Sequence, residues 1–189
     1  MILNKADNIM LGAAEASRVM CGSTKVWERV SYINYVSGCT FEYGTFYNAG
    51  YPDPTKRGQP VPTDEQQAPH TYIRDLAYYE IPVGTTTLYA YVKRPLVVSG
   101  EGDLTLVYVY QYDENKIFLA QSWGGKDSGQ SIWDYLYNHP GLPISIDPAT
   151  KYIRISYGQT SARDGGILPD IPDPSAFDGQ FIVSNVEVR

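Results

Sequence analysis

From residue 31 onward, apolar and polar positions alternate along most of the chain, and each alternating run stops at Gly, Pro, Asn or Asp. A period of two closed by turn residues is the signature of β-strands. It predicts strands over residues 32–36, 40–47, 71–81, 86–92, 104–112, 116–122, 131–137, 151–157 and 180–188. In the run 104–112, Tyr108, Tyr110 and Tyr112 share one face while Val107 and Val109 share the other. Apolar character on both faces is what a central, doubly covered strand requires. Asp113, Glu114 and Asn115 then supply the turn into the next strand. No stretch carries a long helical period. The expected fold class is therefore all-β: a short amino-terminal β-meander over residues 1–29, then a jelly-roll-like β-sandwich over 30–189.

The meander follows from a ten-residue repeat. Ile9-Met10-Leu11-Gly12-Ala13-Ala14-Glu15-Ala16-Ser17 aligns with Val19-Met20-Cys21-Gly22-Ser23-Thr24-Lys25-Val26-Trp27. Each unit has apolar residues before a Gly, and an apolar residue returns four positions after it. Gly is the residue that turns a chain at positive φ, so each unit reads as strand, tight turn, strand. The competing reading is a helix, because Ala13, Ala14, Glu15 and Ala16 are good helix formers; the recurring Gly and the β-branched second unit speak against it.

Two proline-rich stretches interrupt the strands. Residues 50–69 hold five prolines, from Pro52 to Pro69; residues 158–179 hold Pro169, Pro172 and Pro174 among Asp164, Asp170, Asp173 and Asp178. Proline stiffens both and bars them from a central strand, so they read as ordered surface excursions.

Composition narrows the chemistry. The 189 residues include 17 Tyr, 2 His and 2 Cys, and the formal net charge is −6. These counts disfavour a disulfide scaffold, a multi-Cys zinc module and a strongly basic nucleic-acid binder. Cys21 and Cys39 read as reduced strand cysteines. Asn4, Lys5, Asp7 and Asn8 break the apolar run that a signal peptide needs, and nothing approaches the ~18 apolar residues that span a bilayer. His70 and His139 sit beside prolines with no metal-ligand spacing, and Gly124-Gly125-Lys126-Asp127 has Asp where a phosphate loop needs a hydroxyl. No Gly-x-Ser-x-Gly elbow occurs. Glycoside hydrolysis would need two facing carboxylates about 5 to 10 Å apart, which no motif here indicates. The residues between 164 and 178 lack a calcium-loop register. The expectation is a non-enzyme with no cofactor and no metal.

Aromatic residues carry the remaining signal. Sugars stack their C–H faces on Trp or Tyr and take hydrogen bonds from polar neighbours. Trp123, Lys126, Asp127, Trp133 and Tyr135 place both kinds of group in one stretch, and Tyr47 and Tyr51 flank the first proline-rich loop. The alternative for each aromatic is packing within the sandwich.

The repeat resembles the tandem Leu-Gly-Ser-Thr-x-Val segments of bacteriophage tail and baseplate-associated proteins. The second unit, Cys21-Gly22-Ser23-Thr24-Lys25-Val26, matches except for Cys21; the first has Ala13-Ala14 for Ser-Thr. The segments 79–83, 108–116 and 144–155 are more loosely similar to jelly-roll modules of phage tail and carbohydrate-binding proteins. The resemblance implies a virion protein, assembled in the host cytoplasm, that attaches to other virion proteins through Ile9, Met10, Leu11, Gly12, Val19, Met20, Gly22, Val26 and Trp27. It implies a homo-oligomer, with a trimer as one arrangement; the matching segments imply fold more than ligand, and the expectation of a host-surface glycan as partner comes from the aromatic residues above. A head fibre, capsid-decoration protein or baseplate adaptor with no ligand is the alternative.

Overall fold

A computed structural model describes residues 10–11, 14–15, 18–21, 23–28, 32–62, 71–93, 103–124, 141–161, 171 and 173–185. The predicted strand over 131–137 and most of the stretch 164–178 lie outside them. Among the described residues the fold is all-β, with one 3-10 turn over Pro174–Phe177.

Both repeat units form hairpins in the described backbone. β1 (Met10–Leu11) pairs antiparallel with β2 (Ala14–Glu15), and β3 (Arg18–Cys21) with β4 (Thr24–Glu28). Leu11 faces Ala14 and Cys21 faces Thr24, so two residues separate the strands of each unit, the length that favours a tight hairpin. The units make two separate two-stranded sheets, whereas a single meander was expected.

The sandwich has a larger and a smaller antiparallel sheet. The larger contains β5 (Glu42–Tyr43), β6 (Tyr72–Arg74), β7 (Tyr79–Glu80), β9 (Asp103–Tyr112), β10 (Phe118–Gly124) and β12 (Tyr152–Ser161). Its order is β10-β9-β12-β6-β5, with β7 also on β12. The smaller runs β11 (Leu142–Ser145), β8 (Thr87–Val92), β13 (Phe181–Ser184). Val107, Val109, Ile153, Ile155 and Ile73 of the larger sheet meet Leu88, Ala90, Val92, Ile144, Phe181 and Val183 of the smaller, all essentially without solvent contact. Tyr157 packs edge-on against Phe181 at a centroid distance of 4.8 Å.

The expected hairpin forms as read. The Asp113 carboxylate accepts from the Asn115 and Ile117 amides, each at 2.8 Å, and Lys116 takes a left-handed φ of 61°. Other expectations require correction. Residues 32–36 are not a strand, because Asn34 and Tyr35 instead cap the edge of β13. Residues 71–81 split into β6 and β7, because the Asp75 carboxylate accepts from the Thr40 and Ala77 amides and the Tyr79 hydroxyl, bending the chain between them. The strand over 40–47 shrinks to Glu42–Tyr43, followed by an isolated pairing of Phe46 with Pro60. β13 spans Phe181–Ser184, and residues 186–188 of the expected 180–188 lie outside the described residues; β12 runs on to Ser161, past the expected start of the second excursion. β11 was not expected because it contains Pro143, which is accommodated on an edge strand. Cys39 is buried and free, outside any strand; Cys21 is exposed on β3.

Candidate functional site

The tyrosine face of β9 is covered by residues 44–62, which comprise the described part of the first proline-rich excursion, 50–62, and the residues just before it. Arg74 Nη1 donates to the carbonyls of Thr45 and Val61, both at 2.7 Å, and so joins the two ends of this covering segment. Between them the chain folds back on itself: Tyr47 N donates to Gln59 O at 2.9 Å, and Gly58 N to Tyr47 O at 2.8 Å. Tyr112 OH donates to Gly58 O at 2.5 Å, and Tyr110 OH to Phe46 O at 3.3 Å. Phe46, Tyr110 and Tyr112 thereby form a second apolar core, flanked by Tyr78, Tyr108, Phe118 and Tyr152. Burial pushes the Tyr110 phenol up to about 12 and raises Tyr108 and Tyr112 as well. Tyr110 and Tyr112 are buried and held neutral, and they present no ring to a ligand; Tyr108 packs beside them and is half-buried.

Arg154, only 6% exposed, lies within this second core. Its alternation with Ile153 and Ile155 predicts that it faces away from them, and it does, opposite Tyr110 in the β9–β12 register. Its guanidinium sits 4.0 Å from the Tyr78 ring centroid and 5.0 Å from that of Phe46, and both Nε and Nη2 donate to Leu76 O. No carboxylate among the described residues pairs with it. Aromatic faces and a carbonyl compensate its desolvation instead.

The tip of the excursion is the open part. Tyr47 and Tyr51 come together, ring centroids 4.3 Å apart and tilted by 48°. Lys56 Nζ lies 5.3 Å over the Tyr47 ring, and Arg57 Nε donates to Tyr51 O at 2.9 Å. Gln121 of β10 accepts from the Ala49 amide at 3.0 Å, which seats the tip beside that strand. The Asp53 carboxylate accepts from the amide and hydroxyl of Thr55, which hold it below the usual carboxylate range and close the turn. Tyr47 is buried and acts as backing; Tyr51 is half-buried and keeps part of its ring toward solvent. An aromatic edge beside two cations and an amide can stack on a flat apolar face and donate hydrogen bonds to hydroxyl or anionic oxygens. It contains no nucleophile–base pair.

Of the remaining sequence-predicted residues, Trp123 lies in β10, in register with Tyr108 and two positions beyond Gln121. Lys126, Asp127, Trp133 and Tyr135 lie outside the described residues. Of the attachment residues, Met10 and Leu11 lie in β1, Val19 and Met20 in β3, and Val26 and Trp27 in β4; Ile9, Gly12 and Gly22 are outside the described residues. Sequence reasoning passed over Phe46, Arg74 and Gln121, which shape the site. Arg74 alternates with Ile73 on β6, and that alternation was the available signal. No group of three or more His, Cys, Asp or Glu among the described residues is placed to hold a metal ion. Comparison with known proteins finds no matching family model, no matching curated protein and no matching solved structure.

Proposed function

We propose that the chain is a bacteriophage virion protein that attaches through residues 1–29 and displays its β-sandwich outward to bind a host-surface glycan without cleaving it. The observation that carries the reading is the pair of successive hairpins built from the repeated unit ahead of a sandwich. A small hairpin is marginal alone and gains stability by packing on a partner surface, which suits an attachment segment. For glycan binding, the support is Tyr51 with Lys56, Arg57 and Gln121 at the tip of the excursion; Trp123, Lys126, Asp127, Trp133 and Tyr135 are proposed to extend that surface. The partners are other virion proteins, and the assembled form is a homo-oligomer.

A second reading has its own support. Tyr108, Tyr110 and Tyr112 are spent on internal packing, which suits a head-fibre, decoration or baseplate adaptor protein with no ligand. Two measurements separate the readings. Peptide mass spectrometry of purified virions should detect the chain, and deleting residues 1–29 should remove it from particles; detection only in the cell lysate would sink both. Binding of the intact chain to bacterial cells and to a glycan array should fall at least about tenfold in Tyr51→Ala, which corresponds to the upper end of the range for one stacked aromatic. Wild-type binding to neither leaves the adaptor reading.

A further inference from the structure

β13 lies at one side of the smaller sheet, with β8 as its one strand neighbour among the described residues. Its other side is filled by the segment that precedes β5, and that segment is not a strand. Asn34 supplies a side-chain imitation of one: Nδ2 donates to Phe181 O at 3.0 Å, and Oδ1 accepts from Val183 N at 3.0 Å. Tyr35 N then donates to Val183 O at 2.9 Å. The Phe181 carbonyl and both outward groups of Val183 are thus occupied by Asn34 and Tyr35.

The segment is fastened from behind. Asn34 Oδ1 also accepts from Val36 N, Cys39 N donates to Val36 O, and Gly179 N donates to Cys39 O. Thr40 N and Phe41 N donate to the carboxylates of Asp75 and Asp178, at 2.8 and 2.7 Å.

What lies beneath needs such a cover. Phe181-Ile182-Val183-Ser184 is aromatic and β-branched, with no charge and no proline among its residues. Natural edge strands usually carry lysine, proline or a bulge to discourage pairing, and this one has none of them. Phe181 and Val183 each point both backbone groups outward, so an antiparallel copy of the same strand would meet a complementary pattern.

We propose that residues 34–39 are a guard that closes β13 to strand addition, and that a second copy of this chain pairs through β13 when the guard is lifted. The inference rests on the edge alone and is independent of what the chain attaches to.

The test is Asn34→Ala in the full chain, followed by amide hydrogen exchange and sedimentation across a concentration series. At low concentration, exchange at Val183 should rise by about fivefold or more, the factor expected for losing a hydrogen bond worth about 1 kcal/mol. At higher concentration the variant should show an association step that wild type lacks, with protection of Phe181 and Val183 restored in the associated species. Unchanged protection at every concentration would overturn the guard; raised exchange with no added association would overturn self-pairing. Should Asn34→Ala lose its near-UV circular dichroism, Asn34→Asp takes its place, since it keeps both accepted bonds and removes only the donated one. That variant should show the same association at higher concentration, and a mass matching wild type throughout would refute the proposal.

Discussion

Gly58 joins the covering excursion to the sheet, and replacing it with alanine tests how firmly the two are seated. Gly58 has a φ of +70°, and an added Cβ would stand 2.8 Å from Phe118 Cγ, with Cδ2 closer still. Two penalties combine. A left-handed φ costs an alanine about 1–2 kcal/mol, and forcing a methyl against a packed ring costs about 1–3 kcal/mol. Gly38 separates them, because its φ is +75° while nothing lies within 4 Å of an added Cβ. Both substitutions change the unfolded chain in the same way, so that contribution cancels in the comparison. Gly38→Ala should therefore cost about 1–2 kcal/mol, and Gly58→Ala about 2–5 kcal/mol. For a chain of this size the melting temperature should fall by about 2–8 °C and about 4–20 °C respectively. Urea unfolding of both variants measures the difference. In a Phe118→Ala background the obstructing ring is gone and only the Cβ remains, 3.1 Å from the added methyl, so most of the excess cost of Gly58→Ala over Gly38→Ala should disappear. Equal losses for the two glycines in the native background would mean that the excursion does not rest on Phe118, and the reasoning would fail.

Three further outcomes follow from the same contacts. Burial raises the phenols of Tyr110, Tyr108, Tyr112 and Tyr79, and the folded state keeps them protonated. The stability this confers is complete below their ordinary value near 10 and is lost as pH rises toward 12. Tyrosinate absorbance should thus appear in one steep step coincident with unfolding; a gradual rise in a chain still folded would contradict it. Arg154→Lys should cost about 1–3 kcal/mol in chemical denaturation, because an ammonium cannot stack flat on Tyr78 while donating twice to Leu76 O; a loss under about 0.5 kcal/mol, the range of ordinary surface substitutions, would count against the stacked arrangement. Gln111→Leu should cost about 2–4 kcal/mol, since the Gln111 amide accepts from Asp147 N and Thr150 Oγ1 and donates to Ser122 Oγ and Ser145 O. Calorimetry checks this against Gln121→Leu, which gives up a single exposed contact and should lose much less.

The strands that were legible in the sequence owe it to local chemistry. β8, β9 and β12 alternate β-branched or aromatic residues over six to ten positions, and a tight Asp-Asn turn pins the β9–β10 hairpin. Where a segment's role depends on distant partners, local pattern misleads. Residues 32–36 have strand-like composition, yet Asn34 is drawn to β13 almost 150 positions away. Pro143 hides β11, because the permissive edge position becomes visible only once the sheet is assembled. The same division runs through the candidate site. That Tyr47 and Tyr51 lie beside the first proline-rich loop was readable from their position; that their rings meet was not. That Tyr47 is the buried one was not, because its burial depends on how the excursion lies on β9 and β10.

Arg74 also has a consequence for how the excursion could diversify. By holding the carbonyls of Thr45 and Val61 together, it separates the base of the excursion from whatever lies between. The residues around Asp53 can then be lengthened at an entropic cost of only about 0.6 kcal/mol per doubling, since closure is achieved at the base. Such an arrangement behaves as an exchangeable cassette: new tip sequences could be grafted between residues 48 and 57 while the tyrosine core below retains its seal.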